Sequence, residues 1–473
     1  MTTTPIKDTY LTTIGLEIHV ELSTASKMFC GCKVDFGGQP NTRTCPVCLG
    51  LPGSLPVANS KAVEYTMKIA LALNCSIAEF SLFHRKNYFY PDMPKNYQIS
   101  QYDLPLGYNG HVDISGEFGD LTVGITRVHL EEDTGKSIHV GGSGRIHDST
   151  HSLEDFNRAG TPLVEIVSEP DIHTPEQARV FVNELRLVLE GLGVSDVRME
   201  EGSLRVDANV SVRPEHHTEF GTKVEVKNMN SVRSVGRALE YEQMRQIEAL
   251  ERGDQLIQET RHFDEKTGTT SSGRAKEGSS DYRYFPEPDL VPFEPGAEWV
   301  DRIQASLPET PRARRERFAT TYGLGAGDVE VLTASAATAA WFEEAAGAYG
   351  GDAKKIANWI MADLYGLLNE AGVELADSKI APAQLAGLVK LIDGGAISGK
   401  QAKKVLGEMF ASGKDAEAIA KDLGLEQISD EGAIASVVDE VIAENADAAQ
   451  KVRDGNFGTI GFLVGAVMKK TRG

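Results

Sequence analysis

The pattern of the sequence changes near residue 295 from strand-like to helical, and this change limits the folds that the chain can adopt. Before it, short β-like runs alternate with turn-forming Gly, Asn, Asp and Pro. A proline-rich stretch at 285–292 separates this part from Ala-rich sequence with a helical pattern. Strands without a regular βαβ alternation predict an α+β fold with a mainly antiparallel sheet, followed by all-α domains. We therefore predict three domains, with a softer second boundary: 1–295, 296–405 and 406–473.

Three segments within the first part carry apolar residues at helical spacing. They are predicted to be helices interspersed among the strands: 58–73, 175–192 and 231–251.

Length and composition narrow the class of protein. The chain has 473 residues, which predicts two to four domains at roughly 150 residues each. A formal net charge of −21 excludes a uniformly basic nucleic-acid-binding protein, although it leaves room for local basic patches. Apolar runs stay short of the roughly 18 residues that a membrane span needs, and the first residues lack the pattern of a signal peptide. We expect a cytoplasmic, multidomain enzyme.

Four of the five cysteines form the pattern C-x-C-x12-C-x-x-C. Two close pairs on tight turns can supply four thiolates to a tetrahedral Zn²⁺ ion, and a site with no open position would be structural. Free buried cysteines and an iron–sulfur cluster are the alternatives. The four candidate ligands are Cys30, Cys32, Cys45 and Cys48, and the isolated Cys75 is expected to lie in the core.

Ionisable residues alternate with apolar ones in the predicted strand 15–22. Glu17, His19 and Glu21 share one face of this strand, which would be a solvent-exposed sheet face if the residues had no function. Two further strand-like segments, 127–136 and 155–171, also carry carboxylates. Carboxylates that converge repel one another unless they bind a cation, and oxygen ligands suit Mg²⁺. The pattern therefore favours a Mg²⁺ site that handles nucleotide phosphates.

No common nucleotide-binding motif is present in the sequence. Thr134-Gly135-Lys136-Ser137 resembles the end of a P-loop, but Leu130 stands where that motif needs glycine. Phosphate binding would then depend on cationic side chains, and the segment 84–103 is rich in cations, aromatics and amides. Arg85, Lys86 and Arg205 are the candidates, with a solvated loop as the alternative reading of the segment.

Several of these segments together carry a family resemblance that spans about residues 10 to 470. They closely resemble the GatB/GatE family, the B subunits of aspartyl/glutamyl-tRNA amidotransferases. The motifs occur in this order: GLEIHVEL, CPVCLGLPGSLPV, RKNYFYPDMPKNYQISQYD, HLEEDTGKS, DFNRAGTPLVEIVSEPD, EEGSLRVDANVS and DYRYFPEPDLVP.

The resemblance implies a specific activity. Family members use ATP to phosphorylate the side-chain carboxylate of Glu-tRNA(Gln) or Asp-tRNA(Asn), and ammonia then displaces phosphate. The ammonia comes from a glutaminase A subunit, and a small C subunit completes a heterotrimer. The resemblance also implies a first domain with the glutamine synthetase/guanido kinase fold and a tRNA-binding tail.

The resemblance also assigns roles to residues. It implies that Mg²⁺ is bound by residues matching His19, Glu131 and Glu165. Glu17 and Glu132 lie close by in the sequence, and we assign them a catalytic role in holding the metal through water. Arg205 is assigned to the catalytic group as a phosphate contact, while Arg85 and Lys86 are assigned to ATP.

Two other functions fit parts of the sequence. A non-catalytic tRNA-binding adaptor would need gaps in the acidic positions, and the sequence has none there. A ligase acting on a free metabolite would not need the helical tail. The sequence also lacks a recognisable cysteine or serine triad for glutamine hydrolysis, so we expect ammonia from a partner. Local basic clusters are candidates for tRNA phosphate contacts: Arg312 to Arg317, Lys400 to Lys404 and Lys469 to Arg472.

Overall fold

The structure of the protein is a computed structural model that describes residues 10–141, 149–275, 282–425 and 431–471. The chain divides into two compact units, Met1–Pro311 and Arg312–Gly473. The first unit extends past residue 295 because helix α4 (Ala297–Gln304) packs Ile303 into its core. None of the helices in the described part of the chain is long and apolar enough to cross a membrane.

The first unit contains the strands of the described chain. Their bounds are β1 Tyr10–Glu21, β2 Ser76–Ile77, β3 His84–Asn87, β4 Tyr97–Ser100, β5 Gly107–Gly116, β6 Gly119–Glu132, β7 Lys136–Val140, β8 His151–Asp155, β9 Pro162–Ser168, β10 Leu204–Pro214, β11 Val224–Met229, β12 Glu259–Asp264, β13 Thr269–Ala275 and β14 Phe285–Pro286.

Nine of these strands form one large sheet in the order β13-β12-β11-β10-β1-β9-β6-β5-β2. Neighbouring strands in it are antiparallel except for the parallel pair β11 and β12. This is the mainly antiparallel α+β arrangement that the sequence predicts. Strands β14, β3 and β4 make a second, three-stranded sheet, and β7 pairs with β8. The segment 84–103 therefore contains two paired strands, so the alternative of a solvated loop applies only to 88–96 and 101–103, the parts outside those strands.

The centre of the large sheet follows from the alternation in β1. Leu16, Ile18 and Val20 are fully buried, whereas the ionisable residues between them are partly exposed. Side chains alternate between the two faces of a strand, so one face packs into the core and the other stays polar.

Three helices cover the apolar face of the sheet: α1 Ser60–Ala72, α2 Pro175–Leu192 and α3 Val232–Glu251. All three predicted helices are confirmed. Helix α2 begins where Thr174 and Gln177 form a capping box and ends at Gly193, which has a left-handed φ of 64°. Its residues Phe181 and Leu185 are fully buried, which stabilises the unit by roughly 1.5–3 kcal/mol for each side chain.

The described part of the second unit is helical, as predicted. Its elements are α5 Pro311–Tyr322, α6 Ala326–Leu332, α7 Ala336–Tyr349, α8 Ala353–Trp359, a π-helical turn Ile360–Leu364, α9 Tyr365–Ala371, a 3₁₀ turn Leu375–Asp377, α10 Pro382–Asp393, α11 Gly399–Ser412, α12 Ala416–Asp422, α13 Glu431–Glu444, α14 Ala446–Arg453, a 3₁₀ turn Phe457–Thr459 and α15 Ile460–Thr471.

The softer boundary that the sequence suggests near residue 405 falls inside helix α11. Val405 and Leu406 are buried there in one apolar core that continues to Ala420 in α12. A boundary at 405 would therefore divide both a continuous helix and a continuous core. Arg472, the last residue of the predicted basic cluster in the tail, lies outside the described residues.

Candidate active site and metal sites

The register of four central strands aligns ionisable residues on the polar face of the large sheet. His19 in β1 lies opposite Arg205 in β10 on one side and opposite Glu165 in β9 on the other. Glu165 in turn lies opposite His129 in β6. Residues that are far apart in the sequence thus form a row across adjacent strands, where directly paired side chains are in reach of one another.

His19, Glu131 and Glu165 form what we call the carboxylate cluster. The Nε2 atom of His19 lies 3.6 Å from Glu131 Oε1 and 3.7 Å from Glu165 Oε2. One ligand atom from each residue lies within 4.8 Å of the others, and both carboxylates are buried. The structure therefore brings together the three residues predicted to bind Mg²⁺. Two carboxylates and an imidazole fit a divalent cation, with the imidazole as the less favoured Mg²⁺ ligand.

His129 belongs to the same site but was not among the predicted residues. Its Nε2 lies 3.3 Å from Glu165 Oε2 and 3.8 Å from Glu131 Oε2. The ring is buried, and its Nδ1 has no hydrogen-bond partner among the described residues. The strand alternation contained the signal, since His129 is two residues before Glu131 and therefore shares its face.

Electrostatics keep both carboxyl groups of the cluster ionised. Burial raises the pKa of Glu165, but the charge and hydrogen bond of His129 lower it further, to well below its ordinary value. Burial and the repulsion from Glu165 raise the pKa of Glu131, but the hydrogen bond from His129 and the positive charges of Lys86 and His19 together lower it below its ordinary value. Burial lowers the pKa of Lys86, but the charges of Glu131, Glu165 and the neighbouring tyrosines together raise it above its ordinary value. Lys86 therefore remains a cation that faces the cluster.

Glu17 and Glu132, both predicted to have catalytic roles, occupy different surroundings. Glu17 shares the polar face with His19, and its Oε1 accepts a hydrogen bond of 2.8 Å from Asn209. Glu132 follows Glu131 directly, so it points to the other face of β6. There its carboxylate accepts a 2.9 Å hydrogen bond from the Ile99 amide and pairs with Lys95. The structure thus does not bring Glu132 to the carboxylate cluster.

Arg205 lies beside the cluster within an ion-pair network that was also not predicted. Its guanidinium pairs with buried Asp133 and lies 3.3 Å from Glu21, and Arg158 lies 3.4 Å from Asp133. Burial raises the pKa of Asp133, but the two arginines lower it further, to about 2. Burial and the negative charge of Asp133 raise the pKa of Glu21 to about 8. Asp133 is therefore ionised and holds the guanidinium of Arg205 in place by an ion pair.

The two candidate ATP contacts point in different directions from β3. The guanidinium of Arg85 makes a double hydrogen bond with Glu287, at 2.6 and 2.8 Å, and lies 4.3 Å from the centre of the Tyr97 ring. Glu287 is completely buried, so Arg85 serves as its counter-ion. Lys86 instead faces the carboxylate cluster, with its ammonium 5.0 Å from the Tyr282 ring. The structure thus brings only Lys86 of this pair to the cluster.

The four predicted cysteine ligands also meet. One sulfur from each of the four lies within 4.8 Å of the others. Cys48 Sγ accepts a hydrogen bond of 3.1 Å from the backbone amide of Cys45. A hydrogen bond from Cys30 lowers the pKa of Cys48 to about 4, whereas burial raises that of Cys32 to about 11. This donor set fits a four-thiolate metal site. Cys75 lies in the core just after α1, as predicted.

The fold and the site together define a class: an α+β protein that carries a buried carboxylate–imidazole cluster on a sheet and has a helical C-terminal part. The sequence model of the GatB/GatE catalytic domain matches residues 12–301, and that of a GatB domain matches residues 340–473. The chain belongs to the GatB/GatE family, so the resemblance seen in its motifs is confirmed.

Curated relatives support this assignment over nearly the whole chain. The B subunit of the aspartyl/glutamyl-tRNA(Asn/Gln) amidotransferase of Carboxydothermus hydrogenoformans is 54% identical over 98% of this chain and 96% of its own length. The protein of the same name from Moorella thermoacetica is also 54% identical with the same coverage. That of Thermodesulfovibrio yellowstonii is 52% identical.

Proposed function

We propose that the protein is the ATP-dependent kinase and transamidase subunit of a tRNA amidotransferase. It would convert Glu-tRNA(Gln) to Gln-tRNA(Gln), Asp-tRNA(Asn) to Asn-tRNA(Asn), or both. A glutaminase A subunit would supply ammonia, and a small C subunit would complete the heterotrimer. The observation that carries the proposal is the carboxylate cluster beside Lys86 and Arg205, in a chain that is 54% identical to proteins named for this reaction.

The reaction explains why the site needs both acidic and basic groups. A carboxylate is a poor acyl donor because oxide is a poor leaving group. Transfer of the ATP γ-phosphate to the carboxylate oxygen gives an acyl phosphate and ADP. Ammonia then attacks the acyl carbon, phosphate leaves with the bonding electrons, and one proton is released. Each anionic reactant repels the other, so cationic groups must offset their charge.

Individual residues of the site suit this chemistry. We propose that His19, Glu131 and Glu165 bind Mg²⁺, which would offset the phosphate charge, and that Glu17 holds the metal through water. Lys86 and Arg205 lie beside the cluster and would orient phosphate oxygens. Their charge is already balanced by neighbouring carboxylates, so they hold fixed positions before the substrate arrives.

The other assignments are proposals of the same kind. The four-cysteine site would hold a structural Zn²⁺ ion, because four thiolates leave no open position for chemistry. The first unit would have the glutamine synthetase/guanido kinase fold, and the tail helices would bind tRNA. Glu132 and Arg85, which have other partners in the structure, would support the site from outside the cluster.

Reconstitution tests the proposal. The chain is co-expressed with its A and C partners and given Glu-tRNA(Gln) or Asp-tRNA(Asn), glutamine and ATP–Mg²⁺. We expect ATP cleavage that depends on misacylated tRNA, and its absence with both tRNAs would refute the kinase assignment in favour of a tRNA-binding adaptor. Glu131→Gln should abolish amidation while glutamine hydrolysis by the partner stays measurable. Glu117→Gln, on an exposed turn, is the matched control.

A further inference from the structure

Lys27 is a buried cation without a carboxylate partner in the described chain. Only 1% of the residue is exposed, and the nearby carboxylate of Glu132 pairs with Lys95 instead. Its ammonium donates hydrogen bonds to the sulfur of Cys48, at 3.6 Å, and to the backbone oxygen of Phe156, at 3.3 Å. A buried ammonium is strongly unfavourable unless an anion compensates it. The anion available here is a thiolate of the four-cysteine site.

The charge of a metal bound by four thiolates supplies the complementary argument. Zn²⁺ with four thiolates carries a net charge of −2, which is costly in a partly buried site. An ammonium in contact with one sulfur reduces the net charge to −1 and fixes the orientation of that ligand, as partners of metal ligands generally do. The cysteine site therefore supplies the anion that buried Lys27 needs, and Lys27 supplies a cation that offsets the negative charge of the site.

The same lysine links the cysteine site to the loop at 156–161. Beyond its bond to Phe156, the next residue, Met28, donates a 2.7 Å backbone hydrogen bond to the Gly160 oxygen. Gly160 has a φ of +85°, and a Cβ atom there would lie 3.5 Å from both Cys48 and Lys27. The Gly160 amide donates to the backbone oxygen of Asp133, the partner of Arg205. The loop thus lies between the cysteine site and the ion-pair network.

We propose that Lys27 is a positioning residue that couples the four-cysteine metal site to the loop at 156–161. Its ammonium offsets the negative charge of the metal–thiolate group through Cys48. The same ammonium also donates a hydrogen bond to the loop backbone at Phe156. The inference rests on the proposed metal site, and it assigns a function to a residue that takes no part in the reaction.

Metal retention is the first test, made on the purified full chain loaded with zinc. Lys27→Met removes the charge at similar volume, and Lys27→Arg keeps it. Lys33→Met is the matched control, because Lys33 belongs to the same loop but is 71% exposed and pairs with Asp35. We expect Lys27→Met to lose zinc to a chelator at least about tenfold faster than the wild type, and Lys33→Met to lose it at the wild-type rate. Equal rates for the two methionine variants would overturn the proposal.

Hydrogen exchange of the peptides that cover 156–161 tests the coupling. In the wild type, zinc removal should accelerate exchange in this loop and leave the distant turn at 115–120 unchanged. In Lys27→Met, exchange in the loop should already be fast and insensitive to zinc. A loop that does not respond to zinc removal in the wild type would overturn the proposal, and this measurement holds even if Lys27→Met does not fold.

The zinc measurements distinguish failure of the proposed metal site from failure of the proposed role of Lys27. Wild-type protein without stoichiometric zinc would remove both the metal site and the role of Lys27. Zinc retention that is equal in the wild type and Lys27→Met would remove only the role of Lys27. Amidation is measured separately and does not enter either result.

Discussion

Replacing Asp133 by Asn should destabilise the first unit, because this carboxylate is the counter-ion of two arginines. Asp133 is 3% exposed, pairs with Arg205, and lies 3.4 Å from Arg158. An amide keeps the shape of the side chain but removes its charge, so both guanidiniums lose their buried partner. Glu21, whose pKa of about 8 is raised partly by Asp133, remains 3.3 Å from Arg205 in the variant and offsets only part of the loss.

The magnitude follows from two independent estimates. The pKa of Asp133 is about 2 against an ordinary 3.8, which corresponds to about 2 kcal/mol of stabilisation. Removal of one partner from a buried ion pair typically costs about 3–5 kcal/mol. We expect Asp133→Asn to lower the free energy of unfolding by about 3 kcal/mol. Because the folded-state pKa is depressed, this contribution is complete above about pH 4 and is lost as the pH falls towards 2.

Urea unfolding followed by tryptophan fluorescence measures this cost. The chain has three tryptophans, so replacing Trp341 and Trp359 by Phe leaves Trp299, which packs against the core of the first unit. Asp35→Asn is the control, since Asp35 also pairs with a lysine and an arginine but is exposed. Its midpoint should equal that of the parent. A cost for Asp133→Asn no larger than for the control would refute the reasoning, as would a difference at pH 2 as large as the one at neutral pH.

Three further predictions follow from the geometry. Arg85→Met should cost about 3 kcal/mol, and adding Glu287→Met should recover most of the loss, because the double change leaves no buried charge unpaired; a urea titration of both variants measures this. Cys45→Ser should remove stoichiometric zinc, measured by metal analysis, whereas replacing the isolated fifth cysteine should leave it bound. Lys400→Gln with Lys404→Gln, both exposed on α11, should reduce the slope of log affinity for tRNA against log salt by about 2; an unchanged slope would exclude these residues as phosphate contacts.

Local patterns in the sequence predicted the elements well. The apolar spacing of α2 led to the bounds 175–192, and the structure has the helix at Pro175–Leu192. The alternation in β1 placed Glu17 and His19 on the polar face, where they lie. These features depend on residues within one element, so a single sequence contains the information for them.

Residues whose role depends on pairing between distant segments could not be predicted from the sequence. His129, Asp133 and Lys27 each gain a partner that is decided by strand order or loop packing, as for Lys27 and Phe156. Arg85 was predicted to contact phosphate because its neighbours in the sequence include cations. In the structure it pairs instead with Glu287, which lies about 200 residues further along the chain. The position of a side chain on a strand can be read locally, but its neighbour across the sheet cannot.

The polar face also helps to specify the register of the sheet. On each side of His19, Ile18 and Val20 are fully buried, and Glu165 is likewise flanked by fully buried Val164 and Ile166. A slip of one residue between these strands would move ionisable side chains into the core and apolar ones into the site. Burying unpaired charges costs several kcal/mol for each group, so the alternative pairings are strongly disfavoured. The residues proposed to bind the metal therefore oppose every one-residue slip of the strands that carry them, and the requirements of the site and of the fold coincide.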